Sequence, residues 1–128
     1  MHSLDTLFLD RDGVINVKLE ARYVRNSNEF EFMQGALVAI SKLSKLFKRI
    51  LIVTNQQGIG KGIMTEDDLN LLHSFMTSEI GKLNGKIDKI YFCPHLDTEN
   101  CNCRKPNPGM INQAIADFPD IDLSLIHI

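Results

Sequence analysis

The chain has 128 residues, 44% of them hydrophobic and 23% charged, with 14 Lys and Arg against 16 Asp and Glu for a net charge of −2. That composition suits one globular domain and excludes disordered, collagen-like and coiled-coil chains. A slightly acidic chain offers no basic field for nucleic acid and no polybasic patch for a membrane, and no apolar run reaches the roughly 18 residues a bilayer span needs.

The predicted elements alternate. Leu4 to Asp10 is a short apolar and aromatic run that ends on an acid, and it predicts a buried strand. Residues 11–33 are polar, with short β-like pieces that suggest a small hairpin or flap. From Gln34 to Phe47 the apolar residues Leu37, Ile40, Leu43 and Phe47 recur near helical spacing. Arg49 to Asn55 is a second strand, rich in β-branched residues and broken by Gly58, Gly60 and Gly62. Thr65-Glu66-Asp67-Asp68 has the form of a helix start, with a side-chain cap and acids in the first turn. Leu69, Leu72, Phe75, Met76, Ile80 and Leu83 then form its stripe. Lys89 to Pro94 predicts a third strand. Asn107-Pro108 suggests a cap followed by proline at the first position of a last helix. Leu123 to Ile128 predicts a fourth strand. Strands separated by helices imply an α/β fold, a Rossmann-like parallel sheet with helices on both faces. In such sheets the ligand site lies beyond the C-terminal strand ends.

Chemistry-bearing residues fall at three of those ends. Asp10-Arg11-Asp12-Gly13 follows strand one. Its two acids are either a capped acidic junction or a paired-carboxylate site, in which one carboxylate acts as nucleophile, the other moves protons, and both attract Mg²⁺. Gly13 would turn the chain and present backbone N–H groups. Thr54-Asn55 follows strand two; alone it is a turn, and beside a phosphate the Thr54 hydroxyl would donate. After strand three come Cys93, His95, Cys101 and Cys103, in a C-x-H-x5-C-x-C array. Three thiolates and an imidazole fill a tetrahedral Zn²⁺ shell, so such a metal would be structural. An odd cysteine count without an evident secretory leader argues for reduced thiols and a cytoplasmic location. Arg104-Lys105 follows directly. Alone it would be a solvated pair; on a metal-fixed loop it could neutralise phosphate. The remaining histidines, His2, His73 and His127, have no such company and are expected at the terminus, on a helix surface and in a strand.

DRDGVIN, VTNQQGIGKGIMTEDDL, and CPH followed by CNCRKPNPGM resemble, in order, the motifs of the haloacid dehalogenase superfamily, in its small histidinol-phosphatase-like group. The stretch YVRNSNEFEFMQGA and the NPGM after Lys105 favour the heptose bisphosphate branch over the histidinol phosphate branch. The resemblance implies a Mg²⁺-dependent phosphatase of a phosphorylated sugar; no large cap insertion separates the motifs, and a monomer is expected. By that resemblance Asp10 is the nucleophile and a Mg²⁺ ligand. Asp12 is the general acid and base, and gives Mg²⁺ its backbone carbonyl. Thr54 and Lys105 bind the transferring phosphoryl group, Asn55 and Arg104 contact substrate, and Cys93, His95, Cys101 and Cys103 hold Zn²⁺. The superfamily's fourth motif, an acidic loop after the fourth strand, has no counterpart before Ile128. A single domain lacking its closing strand and helix is therefore expected, with a catalytically impaired zinc-binding form as the alternative.

Overall fold

A computed structural model describes residues 4–20, 22–122 and 126–127. Its centre is a parallel sheet of order β3-β2-β1-β4, in which β1 is Leu4–Leu9, β2 Phe47–Asn55, β3 Lys89–Cys93 and β4 Ile126–His127. The longest strand, β2, is flanked by two others, and Ile50, Leu51 and Ile52 at its middle are fully buried. A strand covered on both faces must be apolar on both, which is why RILIV reads as a continuous run. Leu7 pairs with Ile50 and Leu9 with Ile52, while Asn55 pairs with Cys93. Asn55 and Cys93 therefore end their strands level, and Asp10 lies one residue past β1. The predicted fourth strand is seen at Ile126 and His127, beside Thr6 and Leu7; the rest of that run lies outside the described residues.

Alternation along the strands sends side chains to two cores. Phe8, Leu51, Val53, Tyr91 and Cys93 pack with Met110 and Ala114 of α4 (Gly109–Asp117) and with Ile121. Ile52 packs on the other face with Ile40 of α1 (Ala36–Leu46) and with Leu72, Met76 and Ile80 of α3 (Glu66–Lys82). Helices cover both faces, as the alternation of elements predicts. The start of α3 also matches: Thr65 Oγ1 accepts from Asp68 N–H at 3.0 Å, and the Asp68 carboxylate accepts from Thr65 N–H at 2.9 Å.

Several local expectations are corrected. Among the described residues of 11–33 no hairpin forms; the segment carries two isolated bridges, Asp12–Asn16 and Asn16–Phe32, and buries Ile15, Val24 and Phe30 in the α1/α3 core. Gln57–Gly60 forms a short helix, α2, where only a break was expected. In α3 the stripe is Leu69, Leu72, Met76 and Ile80, whereas Phe75 and Leu83 are exposed. His73 is buried rather than on the helix surface. Asn107 is not a cap: α4 starts at Gly109 after Pro108, and the Asn107 amide donates to the Cys101 carbonyl at 2.8 Å.

Candidate active site

One cavity of about 440 Å³ opens at the C-terminal edge of the sheet. Asp10 and Asp12 line it from the end of β1, Asn55 and Gln56 from the end of β2, and Arg104 and Lys105 from the segment before α4. Lys18, Arg22 and Tyr23 reach it from the loop after β1, and Gln57 and Lys61 from α2 and its C-terminus. Five cations thus face two carboxylates in a chain of net charge −2.

The two carboxylates differ sharply in surroundings. Asp10 is open, its side chain 44% exposed; one oxygen accepts from Arg11 N–H at 2.7 Å and the other pairs with Lys105 Nζ at 2.9 Å. Lys105 Nζ also donates to the Val53 carbonyl at 3.1 Å, and Asn55 clasps the Lys105 backbone, accepting from its N–H at 2.9 Å. Asp12 is tied down. Its Oδ1 accepts from Arg11 Nη2 at 2.8 Å and Asn16 Nδ2 at 2.9 Å, and its Oδ2 from Gln56 Nε2 at 3.0 Å. Burial alone would push the Asp12 carboxyl up. The Arg11 charge and the bonds from Asn16, Arg11 and Gln56 outweigh it and hold the group below the usual carboxylate value.

Two expected contributors stand differently. Thr54 is fully buried and is not among the lining residues; its hydroxyl accepts from Gln56 Nε2 at 2.8 Å. Gly13 takes a positive φ of 87°, so the turn is there. Its N–H, however, is spent on the Asn16 carbonyl, and the next three N–H groups all donate to the Arg11 carbonyl. No backbone cradle for substrate follows from them. Arg11, Gln56, Tyr23 and Lys61 are additions. Arg11, between the two acids, is buried and reaches back to Asp12 Oδ1. Lys18, Arg22 and Lys61 lie in segments whose placement no periodicity encodes.

Tyr23 forms a wall with α2. Its hydroxyl accepts from Gln57 Nε2 at 3.0 Å, and Lys61 Nζ lies 5.3 Å from the ring centroid. Hydrogen bonding from Lys61, ahead of the opposing desolvation, lowers the phenol below its usual value. A Cβ on Gly58 would come within 3.2 Å of the Tyr23 ring, so any side chain there would have to press the ring aside by a few tenths of an ångström.

Two groups could hold a cation. Asp10 offers a carboxylate with spare lone pairs at an open position. With the neighbouring Asp12 backbone carbonyl it gives the small, hard oxygen set that suits Mg²⁺, an ion that retains several waters. The second group is Cys93, His95, Cys101 and Cys103, whose ligand atoms all lie within 4.8 Å of one another. That spread fits a tetrahedral shell with bonds of about 2.0–2.3 Å, and soft sulfur with imidazole suits Zn²⁺. Within this cluster the Cys93 and Cys103 sulfurs make the shortest approach, and Cys101 Sγ lies 3.4 Å from Cys93 Sγ. A Cys93–Cys103 disulfide and a four-ligand metal site would exclude one another, since only thiolates ligate the metal. Among the described residues no helix is long and apolar enough to cross a membrane.

Comparison with known proteins gives a consistent picture. Residues 6–127 match the family model described as polynucleotide kinase 3 phosphatase. The chain is 41% identical over 114 residues to a D-glycero-alpha-D-manno-heptose-1,7-bisphosphate 7-phosphatase of Mycobacterium tuberculosis, covering 89% of this chain and 60% of that protein. It is 45% identical over 121 residues to the enzyme of that name from Campylobacter jejuni, covering 91% and 65%. The Neisseria meningitidis relative, 39% identical over 112 residues, carries the beta name and is covered to 59%. The chain thus spans 59–65% of the length of these relatives. The crystal structure of D,D-heptose 1,7-bisphosphate phosphatase from B. bronchiseptica, complexed with magnesium and phosphate, superposes with a TM-score of 0.86 at 34% identity, covering 94% of this chain and 66% of that one. Sheet order, the Asp10-x-Asp12 strand end and these matches converge: the chain belongs to the polynucleotide kinase 3 phosphatase family, within the haloacid dehalogenase superfamily.

Proposed function

We propose that this chain carries the phosphoryl-transfer site of a sugar bisphosphate phosphatase, acting on D-glycero-D-manno-heptose 1,7-bisphosphate at the 7-phosphate. The observation that carries this reading is a cavity in which an open aspartate, a tethered aspartate and five cations meet. Phosphoryl transfer needs alignment and charge neutralisation above all. An Asp10 oxygen attacks phosphorus while the bond from phosphorus to the sugar oxygen breaks. Asp12 gives that oxygen a proton. Water then attacks the phosphoaspartate, Asp12 takes its proton, and inorganic phosphate leaves with Asp10 restored. Oδ2 of Asp12, which accepts one bond from Gln56, has the capacity to move the proton. An incoming phosphate dianion raises the proton affinity of Asp12, which favours its acid form when it is needed. Lys105 neutralises the phosphoryl group beside Asp10, Asn55 fixes Lys105, and Thr54 acts through Gln56. When bound at Asp10 and the Asp12 carbonyl, Mg²⁺ supplies further neutralisation. Zn²⁺ held by Cys93, His95, Cys101 and Cys103 would fix the loop that delivers Arg104 and Lys105.

The cavity's charge supports this substrate over histidinol phosphate. Lys18, Arg22, Lys61 and Arg104 would repel a substrate ammonium and attract a second phosphate. The test is phosphate release with Mg²⁺ from the heptose bisphosphate and from histidinol phosphate, by the wild-type chain and by Asp10→Asn. Turnover of the bisphosphate by wild type alone is expected. Equal rates for the two proteins, or preference for histidinol phosphate, would overturn the reading.

A further inference from the structure

His73 is a buried titratable side chain that the reaction above does not use. It sits on α3 with 7% exposure, and its Nε2 lies 3.1 Å from Arg11 Nη1. A guanidinium cannot accept a hydrogen bond, so Nε2 is the acceptor and the imidazole carries its proton on Nδ1. Arg11 itself is fully buried, with Phe30 packed 5.9 Å from Cζ. Its Nε and Nη2 both fall on Asp12 Oδ1, at 3.3 and 2.8 Å, and Nη2 also reaches Gln56 Oε1 at 3.4 Å. A guanidinium's usual fork takes both oxygens of a carboxylate. Here it takes one and leaves Oδ2 to Gln56.

We infer that His73 is a positioning residue: by holding Arg11 Nη1 it keeps the guanidinium on Asp12 Oδ1 and leaves Oδ2 open for proton transfer. Without that anchor Nη1 is a buried donor with no acceptor at its side, and the nearest remedy is a two-oxygen fork on Asp12. Such a fork occupies the oxygen that must take and give the proton. The inference rests on Asp12 as the proton-transfer group of the proposed reaction.

The test pairs nitrogen NMR with kinetics on the full chain. In wild type at pH 7, the ¹⁵N shifts of the His73 ring, assigned by comparison with His73→Gln, should report Nδ1–H and a bare Nε2. Resolved, slowly rotating Arg11 Nη resonances are expected in wild type and in His73→Gln, whose amide oxygen can replace the acceptor, and their loss in His73→Phe. With heptose bisphosphate and Mg²⁺, His73→Phe should lower kcat roughly tenfold to a hundredfold with KM within about twofold, and His73→Gln should restore kcat. The Nε2–H tautomer in wild type overturns the inference, and that measurement needs no variant to fold. Unchanged Arg11 resonances in His73→Phe also overturn it, as does a loss of kcat that tracks Tm equally in both variants. A wild-type chain that releases no phosphate counts against the proposed reaction alone, and the spectra then decide the His73 contact by themselves.

Discussion

Two aspartates two residues apart carry the same chemistry in the sequence and acquire different characters from their neighbours. Asp10 faces one cation at an open position, whereas Asp12 is held by Arg11, Asn16 and Gln56. In the proposed reaction, nucleophile and proton carrier would thus be divided by environment rather than by residue type. The same network has a consequence for stability. Burial first, and then the Arg11 charge, press the His73 imidazole down to about 4 from an ordinary 6.5. Above pH 6.5 the ring is neutral in both folded and unfolded chains, and its contribution is fully present. Between pH 6.5 and 4 the unfolded chain takes up a proton that the folded chain refuses, so stability falls as pH falls. The loss should be on the order of 2–3 kcal/mol across that window. Urea unfolding at pH 7 and pH 4.5 checks it: wild type should lose stability between the two, and His73→Gln should lose markedly less. An equal decline in both would show that His73 is not the group responsible.

At the scale of elements, the two ends of the sheet do different work. The C-terminal ends hold the cavity, and the N-terminal ends are tied by acids. Asp120 pairs with Lys48 at 2.7 Å and Arg49 at 3.0 Å at the start of β2, and Asp117 with Lys89 at 2.8 Å at the start of β3. Those acids are far from the chemistry, as their place before the fourth strand predicts. Hydrogen bonding from Lys48 and then Arg49 lowers Asp120 to about 2. Its contribution is therefore present above about pH 4 and lost as pH falls toward 2. Asp120→Asn should flatten the acid limb of thermal stability in that window at low salt, and the difference should shrink in high salt as the exposed pair is screened. A variant with an unchanged acid limb would remove Asp120 from the account.

The elements also divide by what the sequence reveals. RILIV, the Thr65/Asp68 cap and the α3 stripe are legible because burial on two faces, capping and helical period each leave a local mark. The cysteine loop is legible from residue type and spacing, whereas for Asp10 and Asp12 spacing leaves a capped junction open and the resemblance of DRDGVIN to a family motif points to a site. The loop of residues 11–33 is not legible, since its course is set by Ile15, Val24 and Phe30 reaching a core that distant residues build. Tyr23, Lys18 and Arg22 arrive at the cavity on that course. Asn107 misleads for a related reason: its local preference for capping yields to the Cys101 carbonyl across the loop.

The molecule as a whole joins a metal-ligand cluster to a charged cavity through a few residues. Cys103 lies two residues before Lys105, Gly109 N–H donates to the Asn102 carbonyl at 2.8 Å, and Asn55 grips the Lys105 backbone from β2. Whatever fixes the Cys93–Cys103 loop therefore also aims Lys105 at Asp10. The loop is short, so a metal held there would act chiefly by fixing residues 93–105 in one conformation, and its free energy of binding would be shared with folding. Cys101→Ser removes one soft ligand, and under reducing conditions it probes that ligand alone. Reduced wild-type chain should carry one zinc per molecule by elemental analysis, and Cys101→Ser markedly less, with a lower Tm. Chelation of wild type should reproduce that Tm. Affinity for inorganic phosphate in Mg²⁺ should fall with zinc content, because Lys105 loses its aim even though Asp10, Arg104 and Lys105 are all still present. Zinc content and Tm unchanged in Cys101→Ser would show that the four ligands do not act as one site. Zinc loss without loss of phosphate affinity would show that the loop holds Lys105 in place through Asn55 alone.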